Sequence, residues 1–159
     1  MSDNEIAQCL DALQARYIRA LDGRDMAAWV DCFDAEASYV CIAGENVDQG
    51  LPLALMMDDS RARILDRANY VTKVWDGTFE DYKTRHFVQR LALREAQAGL
   101  VEVESNFMVA YTGESGGSGV LAAGLYRDLV AVRDGQAKFR SRQAVLDTVS
   151  TPRYLVYPV

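Results

Sequence analysis

Apolar residues recur at helical spacing near the start of the chain: Ile6, Leu10, Leu13, Tyr17 and Leu21, with Ala20 beside them. This stripe predicts an amphipathic helix over about Asp3 to Leu21. Asp22-Gly23 ends it, glycine supplying the left-handed C-terminal residue at little cost. Asp25 then caps a short second helix, with Trp29 and Phe33 one turn apart on its inner face. ASYVCIAG, rich in aromatic and β-branched residues, predicts the first strand. GENVDQG reads as a loop and Leu51–Met57 as a short strand. Asp58, Asp59 and Ser60 are capping residues, and Ile64, Leu65, Ala68, Val71 and Trp75 form the stripe of a third helix.

From Lys83 the period changes. KTRHFVQRLALRE, LVEVESNFMVAYT, VLAAGLYRDLVAVR and AKFRSRQAVLDTV are four strand-like runs. AQAG, GESGGSG and DGQ between them are hairpin signals. Helices followed by a long meander predict an α+β fold: one domain over residues 1–159, with a curved antiparallel sheet wrapped around N-terminal helices. Such a half-open cone has a concavity of the kind that often takes ligands.

The composition is that of an ordinary folded domain, half hydrophobic and a quarter charged. A net charge of −6 argues against a nucleic-acid partner, which would need a basic stripe. No apolar run is long enough to span a bilayer, and the acidic start MSDNEIAQCLDALQ has no signal pattern. A cytoplasmic protein with no membrane partner is expected. Cys9, Cys32 and Cys41 form no metal-type cluster and read as reduced, buried thiols.

His86 is the one histidine in the sequence. A two-His-one-carboxylate iron site and a Rieske cluster each need at least two histidines, so this chain carries neither. No metal site is predicted. GESGGSG lies between strands with no helix after it and is a hairpin, not a phosphate loop. Arg61, Arg63, Arg67, Arg85, Arg90 and Arg94 fit salt bridges with neighbours such as Asp58, Asp66 and Glu104, an interface, or an anionic substrate patch. Trp75, Phe79 and Tyr82 fit core plugs or interface anchors. The apolar tail TPRYLVYPV must pack on something, its own sheet or a partner.

YIRALDGRDMAAWVDCFDAEASYV resembles the entry to the nuclear-transport-factor-two/SnoaL-like cone fold. DDSRARILDR, the Trp75 turn, the Arg85-His86 pair in TRHFV and the final SRQAVLDTVSTPRY resemble the small (β) subunit of Rieske-type aromatic-ring-hydroxylating dioxygenases. That resemblance implies a non-catalytic scaffold: a homotrimer supporting three large α subunits. Each α subunit would hold a Rieske iron–sulfur cluster and a mononuclear iron, fed from NADH through a reductase or ferredoxin. This chain would carry no cofactor. The GLPL run and SRARILDR look closest to subunits paired with enzymes of aromatic carboxylates, such as salicylate, anthranilate or terephthalate. The chain lacks the longer acidic, proline-bearing segment that the naphthalene and biphenyl branch has before its Arg-His pair. The interface candidates are Arg61, Arg67, Trp75, Arg85, Tyr154 and Tyr157. The rival implied by the fold is a free-standing dehydratase or isomerase using Asp22 and His86 as an acid–base pair; a carrier of apolar ligands is a third.

Overall fold

The computed structural model describes residues 1–97 and 99–159. The predicted AQAG turn includes Ala98, which lies outside the described residues. Helix α1 (Asp3–Asp22) starts at a capping box: the Ser2 side chain accepts from the Glu5 N–H, and Glu5 accepts from the Ser2 N–H. Leu10, Leu13, Tyr17, Ala20 and Leu21 are its buried stripe, as the spacing predicts. At its end Gly23 is right-handed (φ −90°), and Arg24 takes the left-handed conformation (φ 57°) that the sequence assigns to glycine. Gly23 is needed for space instead, since a Cβ there would lie 2.9 Å from the Arg19 carbonyl oxygen.

Helix α2 (Met26–Asp31) is capped by Asp25 as expected, but it stops before Phe33, which opens β1 (Phe33–Ala43). Trp29 and Phe33 still meet edge-on, with centroids 5.0 Å apart, across the helix–strand junction. The predicted GENVDQG loop contains a short helix, α3 (Gly44–Asp48). Strand β2 (Ala54–Asp58) starts three residues later than predicted, after Pro52, which has no N–H for a ladder. Asp58 closes that strand as a buried partner of Arg67, leaving the cap of α4 (Arg61–Tyr70) to Ser60.

Past α4, Val71–Trp75 is a π-helical turn, closed by the Asp76 N–H on the Val71 carbonyl at 3.0 Å. The widened turn takes Trp75 off the predicted stripe, whose buried members are Ile64, Ala68 and Val71; Leu65 is 49% exposed.

Strands β3 (Tyr82–Gln97), β4 (Leu100–Gly113), β5 (Ser118–Arg133) and β6 (Gln136–Leu146) follow. The sheet order is β2-β1-β6-β5-β4-β3. Every pairing is antiparallel except β1 on β6, a parallel pair that the expectation of an antiparallel sheet misses. Helix α1 packs on β3 and β6, and α4 on β1 and β2, so the unclosed sheet wraps round the helices as a cone. Inward positions on β4–β6, such as Phe107, Val109, Tyr126, Phe139 and Ala144, form the core with α1.

Candidate functional site

Asp22 sits on the last turn of α1, and Thr84 and His86 lie two apart on the inward face of β3. The Asp22 carboxylate meets three donors. His86 Nδ1 lies 2.6 Å from Oδ1, the Thr84 hydroxyl donates to Oδ1 at 2.9 Å, and the His86 N–H donates to Oδ2 at 3.1 Å. Burial pushes the Asp22 carboxyl up, but the hydrogen bonds and charge of His86 and the Thr84 hydroxyl outweigh it. Its pKa ends below the usual carboxylate range. The contact through Nδ1 turns Nε2, the nitrogen that would have to serve as a base, away from the carboxylate.

That base has nothing to act on. His86 Nε2 is buried without a hydrogen-bond partner among the described residues. It borders a cavity of only about 10 Å³, walled by Leu21, Val109, Leu121 and the Tyr157–Val159 segment. A space this small is at the limit for a single water. A general base must reach its substrate within hydrogen-bond distance, so the sealed pair has the geometry of acid–base chemistry without access for a substrate.

The cone interior is filled as well. Arg142 on β6 is 1% exposed and forks onto Asp128 of β5 at 2.9 and 2.7 Å, while Nη2 also donates to Gln14 at 2.7 Å. Its guanidinium lies over Tyr126 and Phe139, 3.9 Å from each centroid, and 4.2 Å from Tyr17. Burial works against the Arg142 charge, but Asp128 outweighs it and keeps the group protonated. Sequence reading passed over this pair. Its signal is nonetheless present: Arg142, Ala144 and Leu146 alternate on one face, as do Tyr126, Asp128 and Val130, so two charges stand in apolar registers. Cys41, also inside, has its thiol pushed up to about 12 by burial, with Arg67 pulling the other way, and is inert. Cys32 is buried too, whereas Cys9 is only half-buried, contrary to expectation.

The predicted surface residues fall into two groups. Arg61 donates to the Val30 and Phe33 carbonyls at 3.0 and 2.9 Å, and Arg67 forks onto Asp58, so both guanidiniums hold α4 against the rest of the chain. Trp75 stacks on Phe79 at 4.8 Å, within a ladder that runs from Tyr70 through Trp75 and Phe79 to Tyr154. Tyr154 is 72% exposed at its outer end. Arg85 is exposed on β3, and Tyr157 is half-buried beneath Arg24, whose guanidinium lies 4.9 Å from the ring centroid.

Residues 16–152 match the family described as ring hydroxylating beta subunit. The chain belongs to that family. It is 29% identical to the small subunit of anthranilate 1,2-dioxygenase from Burkholderia cepacia over 147 residues, 92% of this chain and 90% of that one. It is 26% identical to the beta 2 subunit of the terminal oxygenase component of terephthalate 1,2-dioxygenase from Comamonas sp., over 98% of this chain and 99% of that one. Among solved structures, a β subunit assigned to an aromatic-ring-hydroxylating dioxygenase of Novosphingobium aromaticivorans superimposes with a TM-score of 0.83. It is 28% identical and each chain covers 94% of the other.

As a β subunit of a dioxygenase, the chain is part of an oxidoreductase. Its own donors do not fit the iron chemistry of one: its sole histidine is committed to Asp22, and no cluster of three or more His, Cys, Asp or Glu able to hold a metal exists among the described residues. No described helix is long and apolar enough to cross a membrane.

Proposed function

We propose that this β subunit is the non-catalytic, trimer-forming scaffold of a cytoplasmic ring-hydroxylating dioxygenase. In this reading the large α subunit binds the Rieske cluster and the mononuclear iron and receives electrons from NADH through a reductase or ferredoxin. The names of its relatives, anthranilate and terephthalate dioxygenases, favour an aromatic carboxylate as the substrate of that partner. The single observation that carries the scaffold reading is the sealed Asp22–His86 pair: the family's cone is present, but its inner base faces a cavity of about 10 Å³. The exposed apolar surface supports assembly. Leu53, Leu55 and Met57 on and beside the edge strand β2, with Tyr70, Val74 and Tyr154 around the aromatic ladder, are between 46% and 72% exposed. Large apolar side chains gathered on one exposed region support contact with other chains. Trp75, Arg85, Tyr154 and Tyr157 would meet partners directly, while Arg61 and Arg67 would act by holding α4 in place.

The test is turnover per correctly assembled complex for His86→Ala, measured after unassembled chains are removed. The expected result is near-normal turnover with reduced assembly or thermal stability. Loss of a true proton-transfer residue would instead lower turnover by about 10²–10⁴-fold, and that result would overturn the scaffold reading.

A further inference from the structure

The Leu155–Val159 segment closes the cone in an unusual way. Val159 is 1% exposed, and its main-chain oxygen accepts from two fully buried hydroxyls, Tyr17 at 2.7 Å and Tyr39 at 3.0 Å. The Val159 N–H in turn donates to the Tyr39 hydroxyl at 3.0 Å, so one tyrosine clasps both ends of the residue. His86 Nε2 borders the same space, with Leu21, Val109 and Leu121 as its apolar walls. Without this segment, two hydroxyls on 0%-exposed tyrosines would lose the partner they have, and buried polar groups without partners are costly. Tyr17 and Tyr39 come from α1 and β1, so distant parts of the chain converge on one acceptor oxygen.

We propose that Leu155–Val159 is a self-ligand, occupying a binding site for a branched aliphatic group that carries a carbonyl or carboxylate oxygen. The tyrosine hydroxyls recognise the oxygen and the Leu21, Val109 and Leu121 walls recognise the branched group. The site is closed to other molecules because the chain fills it with its own residues.

The test uses the full chain. Val159→Asp sets a carboxylate against the apolar walls and expels the segment. Hydrogen exchange at residues 156, 157 and 159 should accelerate by about tenfold or more while strands β4 and β5 stay protected. The peptide Leu-Val-Tyr-Pro-Val, supplied as free acid and as C-terminal amide, should then raise the Tm of this variant by roughly 3 °C or more. Response to both forms assigns carbonyl recognition, and response to the acid alone assigns carboxylate recognition. Wild type should not respond, nor should the Val159→Asp chain that also carries Tyr17→Phe and Tyr39→Phe. Retained protection in Val159→Asp, no response to either peptide, or an equal response from wild type or the triple variant would overturn the proposal. If Val159→Asp does not fold, the Tyr17→Phe/Tyr39→Phe full chain decides: accelerated exchange over 156–159 supports the self-ligand, and unchanged exchange refutes it.

Discussion

At the residue scale, two inward-facing carboxylates behave differently because their surroundings differ. Asp22 is held ionised by three donors, and its pKa lies below the ordinary carboxylate value. A depressed folded-state pKa contributes stability that is complete above about pH 4 and is lost as pH falls through the folded value. Asp22→Asn should therefore be less stable than wild type between about pH 5 and 7, with the gap narrowing as the pH drops towards 2. Urea midpoints across that range measure it, and a gap that stays constant down to pH 2 refutes the assignment. Arg142 and Asp128 present the opposite case, a pair with almost no solvent contact. Arg142→Met alone strands the Asp128 carboxylate and should cost about 3–5 kcal/mol. Replacing both, as Asp128→Leu with Arg142→Met, should recover most of that loss. A double variant as unstable as the single one would show that the pair itself, not its uncompensated half, holds the cone.

At the element scale, close backbone approach decides one position more strongly than any propensity. Gly124 of β5 faces Leu146 of β6 in the ladder, and a Cβ there would lie 1.9 Å from the Val145 carbonyl oxygen. No side chain can move aside, so Gly124→Ala must part the strands and should cost about 3 kcal/mol or more by overpacking. Gly117→Ala, whose nearest contact is the Ser115 hydroxyl at 3.9 Å, should be close to neutral in the same melting experiment. Equal Tm values for the two variants would contradict the strand spacing. In the sequence Gly124 is simply one more residue of a strand-like run, because its constraint comes from a neighbour on another strand. The same distinction separates what was legible from what was not. Helix α1, the Asp25 cap of helix α2, and the four long strands announce themselves through period and turn residues within a short window. The parallel β1–β6 pair, the start of β1 at Phe33 and the π turn at Val71–Trp75 depend on packing or on one extra residue in a turn. The Asp22–His86 pair was legible through the resemblance to cone-fold dehydratases, but its closure by Val159 joins residues 137 and 73 positions apart, and no local pattern encodes it.

At the scale of the whole molecule, the apolar surface is unevenly distributed, and its position carries the last prediction. Edge strand β2 has a free side and exposes Leu55 and Met57, an arrangement that invites association unless another chain covers it. The groove beside it is about 500 Å³ and runs between Leu55, Phe79 and Tyr154, joining the edge to the aromatic ladder. Trp75 and Tyr154 contribute to that surface yet add little to the core, so their removal should weaken assembly more than folding. Wild type should behave as a trimer by light scattering coupled to gel filtration. Trp75→Ala/Tyr154→Ala should shift it towards monomer with a Tm within a few degrees of wild type, since partly exposed side chains cost little when truncated. A ring of three needs two different surfaces on each chain, and disabling one breaks every contact in the ring. The double variant should therefore dissociate without a stable dimer accumulating. A wild-type chain that stays monomeric across a wide concentration range, or a variant that remains fully trimeric, would remove the aromatic ladder from the interface.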